Sequence, residues 1–292
     1  MRDGHDYTRE GAQGCTSFNE IIAKGYGEPQ SAKEFAELAQ WVNYDGHRSL
    51  FESRSQNRKG LLMWMSHSCW PSMVWQTYDY YFEPTAAYFA IKKASEPLHI
   101  QWNPATDEVE VVNYSAGTHK GLTAKVQVLN MDASVAWEKE ATVDSNEDTT
   151  DKCIKLEFPE NLSKVHFIKM TLTEDGKVVS DNFYHRSLEE NNYQDLCQLA
   201  KVALQSATTV DKNADGTWSA VSVIENKTST PALMIRLNVV DGKDDQQILP
   251  VFYSDNYFSL LPGEKKEVRM SWRDEDTRGN EGNFILTGYN VE

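Results

Sequence analysis

Aromatic side chains that could bind a ligand are concentrated in one short segment of the 292-residue chain. Residues 64–89 contain nine of its 32 aromatic residues (8 Trp, 13 Tyr and 11 Phe in all), including Trp64, Trp70 and Trp75. An indole offers an apolar face to C–H groups and an N–H donor to a hydroxyl. A tryptophan can equally fill a core, and for Trp64 and Trp70 the residues alone leave both interpretations open. For Trp75 the core interpretation is favoured.

Other patterns that could carry chemistry are weak. The sequence from Asp211 to Gly216 matches the start of an EF-hand loop, but the twelfth position is Ser222 instead of a bidentate glutamate. A turn rich in Asp, Asn and Gly is typical of a hairpin, so we expect a hairpin here and no metal site. The four cysteines are far apart and lack metal-ligand spacing, which is typical of ordinary thiols. They are Cys15, Cys69, Cys153 and Cys197.

The charge of the chain excludes some classes of partner. Its 29 Lys and Arg and 44 Asp and Glu give a net charge of −15, which argues against nucleic acid or an anionic membrane as the main partner. Residues 1–97 carry only −2 of this charge (ten basic, twelve acidic), so a boundary is expected near residue 97. No apolar run approaches the roughly 18 residues of a membrane span, and the N-terminus lacks the apolar core of a signal peptide.

Helical patterns occupy the beginning of the chain. Residues 16–24 predict a short helix that ends at Gly25. Ser31 and Glu34 form the S-x-x-E capping box of a longer helix, whose apolar residues recur at helical spacing until near Gly60.

An apolar run follows the second helix and predicts a strand. Residues 61–65 (LLMWM) do not alternate, which favours a strand buried on both faces, and residues 85–94 return to helical spacing. Helix, strand, loop and helix together are typical of an α/β protein. A (β/α)₈ barrel needs roughly 250 residues, so residues 1–97 would supply only about one and a half of its units.

From residue 99 the chain predicts two groups of short strands. Seven mostly alternating segments precede a linker near residues 187–200, and five more follow it. About seven such strands are expected of an immunoglobulin-like sandwich, and Glu174-Asp-Gly-Lys177 marks a tight hairpin. The predicted strands are 99–103, 108–115, 122–130, 135–143, 153–158, 165–173, 177–185, 217–226, 232–241, 246–253, 265–272 and 283–291.

Three motifs in order resemble one enzyme family. Residues 60–102 contain the apolar run with Trp64, a W-P-S…W…D-Y loop, a helix and an E-P-L-H-I exit. They resemble the end of the catalytic barrel in glycoside hydrolase family 2, in the branch of exo-β-D-glucosaminidases and β-mannosidases. The Y-G-E-P-Q-S entry at residues 26–53 resembles the preceding helix of that branch, and residues 254–268 (SDNYFSLLPGEKKEV) resemble its terminal sandwich.

The resemblance implies a retaining exo-glycosidase that needs no cofactor. Retention requires two carboxyl groups about 5–5.5 Å apart. In this family both are glutamates on earlier barrel strands, one in an Asn-Glu pair and one in a Ser-Glu context. Three Asn-Glu pairs occur here, at Asn19, Asn146 and Asn280, but none follows a buried apolar strand. We therefore expect both catalytic glutamates to precede Met1 and this chain to be inactive alone.

The resemblance also implies a role for several residues between positions 64 and 79. Trp64 would end the last barrel strand and form a substrate platform, and Trp70 would join it in the substrate-binding set. His67 would belong to the same set by hydrogen bonding a sugar hydroxyl, and a structural loop histidine is the alternative interpretation. Asp79 would orient the loop by accepting hydrogen bonds from backbone N–H groups. The branch carries Asn, then Asn or Asp, where this chain has His67 and Ser68, and this departure leaves the sugar open.

The expected fold is mainly β: two immunoglobulin-like β-sandwiches preceded by the last βα portion of a (β/α)₈ barrel. The expected divisions are 1–97 for the barrel portion, 98–190 for the first sandwich and 196–292 for the second. The implied partners are a carbohydrate substrate and the upstream barrel of the same polypeptide, in a bacterial parent enzyme that is periplasmic or secreted. Two alternatives remain, a carbohydrate-binding sandwich module and a purely structural one.

Overall fold

The computed structural model describes residues 15–53, 60–71 and 76–292. Within these ranges three helices precede fourteen strands. The helices are α1 (Cys15–Tyr26), α2 (Ala32–Glu52) and α3 (Ala86–Ala94). Among the described helices, none combines the length and the apolar character needed to cross a membrane.

The helix boundaries follow from capping residues. Ser31 caps α2 as predicted: its Oγ accepts a hydrogen bond from Glu34 N at 3.1 Å. The predicted end of α1 at Gly25 is wrong, because α1 continues to Tyr26 and Gly27 takes the positive φ (93°) that ends it. Helix α2 ends at Glu52 instead of continuing as predicted, and residues 54–59 of the predicted extension towards Gly60 lie outside the described residues.

The predicted buried strand at residues 61–65 is wrong as well. The run is irregular, Leu62 is fully exposed, and Trp64 is 81% exposed. A strand requires neighbouring strands to satisfy its backbone N–H and C=O groups. None of the described sheets includes this run, so its apolar character produces no strand here.

The first sandwich consists of a three-stranded and a four-stranded antiparallel sheet. Their strand orders are β1-β2-β5 and β4-β3-β6-β7. Alternating apolar side chains from both sheets fill the space between them, for example Ile100, Val126 and Ile168, all fully buried. The strands are β1 (Leu98–Asn103), β2 (Glu108–Asn113), β3 (His119–Asn130), β4 (Val135–Ser145), β5 (Thr149–Lys155), β6 (Val165–Glu174) and β7 (Lys177–Ser187).

The second sandwich has the same two-sheet organisation. A four-stranded sheet of order β11-β13-β9-β8 faces a three-stranded sheet of order β12-β10-β14. The mainly β fold class is thereby confirmed, and β8 and β12 are strands that alternation did not predict. The strands are β8 (Gln205–Lys212), β9 (Thr217–Glu225), β10 (Ala232–Asp241), β11 (Phe252–Tyr253), β12 (Phe258–Leu260), β13 (Lys265–Arg273) and β14 (Gly282–Thr287).

Two predicted turns are present as hairpins. Asp175 (φ 49°) and Gly176 (φ 76°) join β6 to β7, as a two-residue Asp-Gly turn requires. The Asp- and Asn-rich segment after β8 also turns back into β9, with Gly216 at φ 82°. Its Asp215 Oδ1 accepts hydrogen bonds from Thr217 N and Oγ1, so this carboxylate stabilises the turn.

One apolar cluster joins the helices to both sandwiches. Trp41 of α2 and Phe89 of α3 are buried in it. Phe167 of the first sandwich and Leu233 and Tyr257 of the second belong to the same cluster. Burial of this shared surface stabilises the three parts against separation.

Charged side chains surround this shared core. Lys93 at the end of α3 lies 2.5 Å from Asp181 of β7, and Lys266 of β13 lies 2.5 Å from Asp255. Lys92 Nζ donates to the backbone carbonyls of residues 253 and 254. The end of α3 is therefore bonded to both sandwiches.

Two glycine substitutions should change stability in opposite directions. Gly176→Ala places a Cβ at φ 76° and should lower the free energy of unfolding by about 1–2 kcal/mol. Gly46→Ala, in the interior of α2 where an added Cβ meets nothing within 4 Å, should raise it by about 0.5–1 kcal/mol. Urea denaturation of both variants checks the pair, and shifts of the same sign would contradict it.

Candidate functional site

The aromatic segment, defined as residues 60–71 and 76–85, has an ordered backbone connection. Tyr78 N and Thr77 Oγ1 both donate hydrogen bonds to Ser66 O, at 3.0 and 2.9 Å. Thr85 N donates to Thr77 O at 2.9 Å immediately before α3 begins. These bonds connect the first half of the segment to the start of α3.

The predicted platform tryptophans are accessible. Trp64 is 81% exposed and Trp70 is 46% exposed. Their indoles therefore do not fill a core in this chain, and both present surface on which an apolar ligand face could lie. The third candidate, Trp75, lies outside the described residues.

His67 packs within the segment. Its ring stacks on Phe82, with centroids 4.4 Å apart and ring planes 16° from parallel. Its Nε2 is buried and has no hydrogen-bond partner among the described residues. The stacking holds the plane of the imidazole against the ring of Phe82.

Asp79 bonds the backbone of the following turn. Its Oδ1 accepts hydrogen bonds from Tyr81 N at 2.8 Å and from Glu83 N at 2.9 Å, around Phe82 at φ 68°. The pKa of Asp79 is raised above its ordinary value. Partial burial raises it, and this effect outweighs the lowering by the hydrogen bond from Tyr81 N and by the charge of nearby Arg236. The carboxylate is thus occupied in shaping the turn.

Glu83 joins the segment to the second sandwich, a role that sequence reasoning missed. Its Oε1 pairs with Arg236 of β10, and its Oε2 accepts a hydrogen bond from Gln247 Nε2 at 2.6 Å. The partners lie more than 150 positions away along the chain, so no local pattern could have indicated them. Both groups of the Glu83–Arg236 pair are largely buried.

The described part of the aromatic segment shows no free acid–base pair. Asp79 and Glu83 are the two carboxylates in the described part of the aromatic segment, and both are already hydrogen-bonded to other groups. Of the Asn-Glu pairs, the one at Asn19 lies in α1, and those at Asn146 and Asn280 lie in loops. The described residues also hold no group of three or more His, Cys, Asp or Glu side chains arranged for a metal.

Two protein-family models match successive parts of the chain. The mannosidase Ig/CBM-like domain matches residues 107–187, and the exo-β-D-glucosaminidase Ig-fold domain matches residues 182–291. Exo-β-D-glucosaminidases from Amycolatopsis orientalis and Streptomyces avermitilis are 31% and 30% identical over 94% of this chain.

The chain belongs to the exo-β-D-glucosaminidase and β-mannosidase branch of glycoside hydrolase family 2. It corresponds to a C-terminal portion of such proteins. It spans about a third of the length of these relatives (29% and 34%). A mannosylglycoprotein endo-β-mannosidase from Lilium longiflorum is also similar, at 25% identity over 91% of this chain and 34% of its own length.

Solved structures of the branch have the same fold. The exo-chitosanase of Amycolatopsis orientalis superposes with a TM-score of 0.90 at 28% identity, covering 94% of this chain and 36% of that one. A β-D-mannosidase from Dictyoglomus thermophilum superposes with a TM-score of 0.73 at 18% identity, over 96% of this chain and 33% of its own. The second likeness concerns the fold alone.

Removing the charge of Glu83 should loosen the aromatic segment from the second sandwich. Glu83→Gln should lower the free energy of unfolding by about 1–2 kcal/mol, because a largely buried charged hydrogen bond to Arg236 is weakened. Glu37→Gln is the matched control, since Glu37 faces Lys33 at 3.9 Å on an exposed helix surface. Calorimetry that finds equal melting temperatures for the two variants would contradict this role.

Proposed function

We propose that this chain is the C-terminal part of a retaining exo-β-glycosidase that hydrolyses β-linked glucosamine- or mannose-containing oligosaccharides. The correspondence with exo-β-D-glucosaminidases over 94% of the chain supports the glycosidase parent. In the same Amycolatopsis exo-chitosanase, a variant forms a complex with p-nitrophenyl β-D-glucosamine, which supports an amino sugar as substrate.

One observation carries the proposal that catalysis depends on another part of the parent. Exposed indoles and hydrogen-bonded carboxylates occur together in the aromatic segment. Retaining hydrolysis needs a carboxylate nucleophile and a carboxylic acid about 5–5.5 Å apart. Asp79 and Glu83 could serve only by giving up the contacts that shape the turn and join it to β10. Both catalytic glutamates would therefore be supplied by the upstream barrel.

Within the parent, the aromatic segment would form part of the wall that faces the sugar. Trp64 would place its indole against the C–H face of the substrate, and Trp70 and His67 would extend that surface. Asp79 would maintain the turn that supports them. The upstream barrel would cover the apolar side chains that this chain exposes, notably Leu62.

The alternative of a carbohydrate-binding sandwich is less well supported. Such a module would display a line of exposed aromatic residues on one sheet face. Trp102 in the first sandwich and Trp272 in the second are 5% and 2% exposed, so both lie in the cores. Titration of the chain with oligosaccharides separates this alternative from a purely structural one.

Hydrolysis of p-nitrophenyl β-glycosides tests the proposal directly. The panel includes glucosaminide, mannoside, galactoside and glucuronide. This chain alone should hydrolyse none of them, because its site lacks a free carboxylate pair. A longer protein that carries the upstream barrel should hydrolyse the glucosaminide or the mannoside. Turnover by this chain alone, or none by the longer protein, would refute the proposal.

Trp64 should matter for substrate recognition in the longer protein. Trp64→Ala should lower kcat/KM by roughly tenfold to a hundredfold, because a buried aromatic contact contributes about 1.5–3 kcal/mol. Phe252→Ala is the control, since Phe252 is 67% exposed on β11 of the second sandwich. An unchanged kcat/KM in the Trp64 variant would remove Trp64 from the substrate-binding set.

A further inference from the structure

A histidine at the junction of the helices and the first sandwich contacts two carboxylates. His99 on β1 is 1% exposed. Its Nε2 lies 3.2 Å from Glu52 Oε1, and its Nδ1 lies 3.2 Å from Glu96 Oε2. Ionised carboxylates accept hydrogen bonds and donate none, so a histidine that bonds two of them carries a proton on each ring nitrogen. This arrangement fits His99 as an imidazolium that donates to Glu52 and to Glu96.

Each carboxylate is itself fixed by neighbouring groups. Glu52, the last residue of α2, is 7% exposed, and Tyr184 Oη lies 3.0 Å from both of its oxygens. Asn182 Nδ2 also donates to Glu52 Oε1 at 2.8 Å. Glu96 accepts hydrogen bonds from Ser180 Oγ at 2.6 Å and from Lys93 Nζ at 2.8 Å. Two strands, β1 and β7, and two helix ends thus contribute to one buried polar cluster.

The other charged and titratable groups around His99 come from the same elements. On α2, Arg48 pairs with Asp45 and lies over the ring of Tyr184, with its Cζ 4.1 Å from the centroid. At the end of α3, Lys93 pairs with Glu96 and with Asp181 of β7. Apart from Glu52, Glu96 and Tyr184, the groups facing the cluster are Asp45, Arg48, Lys93, Asp181 and His185.

The contacts of His99 with Glu52 and Glu96 join two points that lie far apart along the chain. Glu52 ends α2, and Glu96 follows α3, so His99 closes the intervening chain into a loop, of which the structure describes residues 53, 60–71 and 76–95. All the proposed substrate-wall residues lie inside that loop. Closing a loop at its base restricts the conformations available to the residues within it.

We propose that the His99 imidazolium, held between Glu52 and Glu96, is a clasp that closes residues 53–95 and positions the aromatic segment. The role of the clasp in substrate binding rests on the proposed function. The clasp itself does not, because it is a property of this chain. His99 is a positioning residue, since its hydrogen bonds join it to Glu52 and Glu96, which lie outside the aromatic segment.

The clasp should be sensitive to pH. Burial lowers the pKa of His99, but the hydrogen bonds and charges of Glu52 and Glu96 outweigh it, so the pKa is raised above 6.5. A raised histidine pKa contributes stability that is fully present below the unfolded-state pKa and is lost as pH rises through the folded-state value. Burial raises the pKa of Glu96, but His99 and Lys93 lower it overall, so its contribution is lost in acid.

The first test is an NMR titration of the His99 ring in this chain. His99 should titrate above its ordinary value of about 6.5, and Glu52→Gln should bring that pKa down. A wild-type value at or below about 6.5 would overturn the clasp. The wild-type titration needs no disruptive variant, so it tests the imidazolium between the two carboxylates even if a substitution at His99 prevents folding.

The second test is hydrogen exchange of the backbone amides in His99→Gln. Exchange should become about tenfold faster or more in the aromatic segment and α3, and stay unchanged in the second sandwich. His119→Gln is the matched control, because His119 contacts Glu174 at 2.8 Å in the same sandwich but outside the loop. Unchanged exchange, or a uniform increase across the chain, would overturn the clasp. Neither test depends on hydrolysis, so failure of the proposed function would be seen separately.

Discussion

The shared apolar core at the centre of the molecule is the contact on which the other features depend. Trp41, Phe89, Phe167 and Leu233 come from four elements that lie far apart along the chain, yet they pack into one cluster. Without this burial α2 and α3 would lose the surface through which they pack on the two sandwiches. The charged contacts around the core then select one orientation of the parts, since buried ion pairs require good geometry to be favourable.

Sequence patterns predicted those elements whose burial is periodic. Most strands of both sandwiches alternate between core and solvent, and period-two patterns reveal such strands directly. The missed strand β8 is exposed along nearly all of its length, so it has no apolar face to detect. The run at 61–65 is the opposite case: its apolar residues predict a strand, but pairing requires neighbours that the described residues do not supply.

The candidate site divides in the same way between local and distant interactions. The role of Asp79 could be predicted because its partners are backbone N–H groups two and four residues away. Glu83 and Glu52 bond to residues more than 100 positions distant, and a single sequence contains no signal for such pairs. His67 was a candidate ligand contact, yet its stacking on Phe82 depends on a positive φ that no aromatic residue favours.

The bonding of α3 to both sandwiches bears on how such proteins can evolve. Lys92 reaches carbonyl groups of the second sandwich, while Lys93 reaches Asp181 of the first. A recombination event that exchanged one sandwich alone would sever these contacts. Exchange of the first sandwich would leave Lys93, whose side chain is only 14% exposed, without Asp181, and a buried charge without a partner is costly. The helices and the two sandwiches should therefore be inherited together, as one block, when domains are shuffled among glycosidases of this branch.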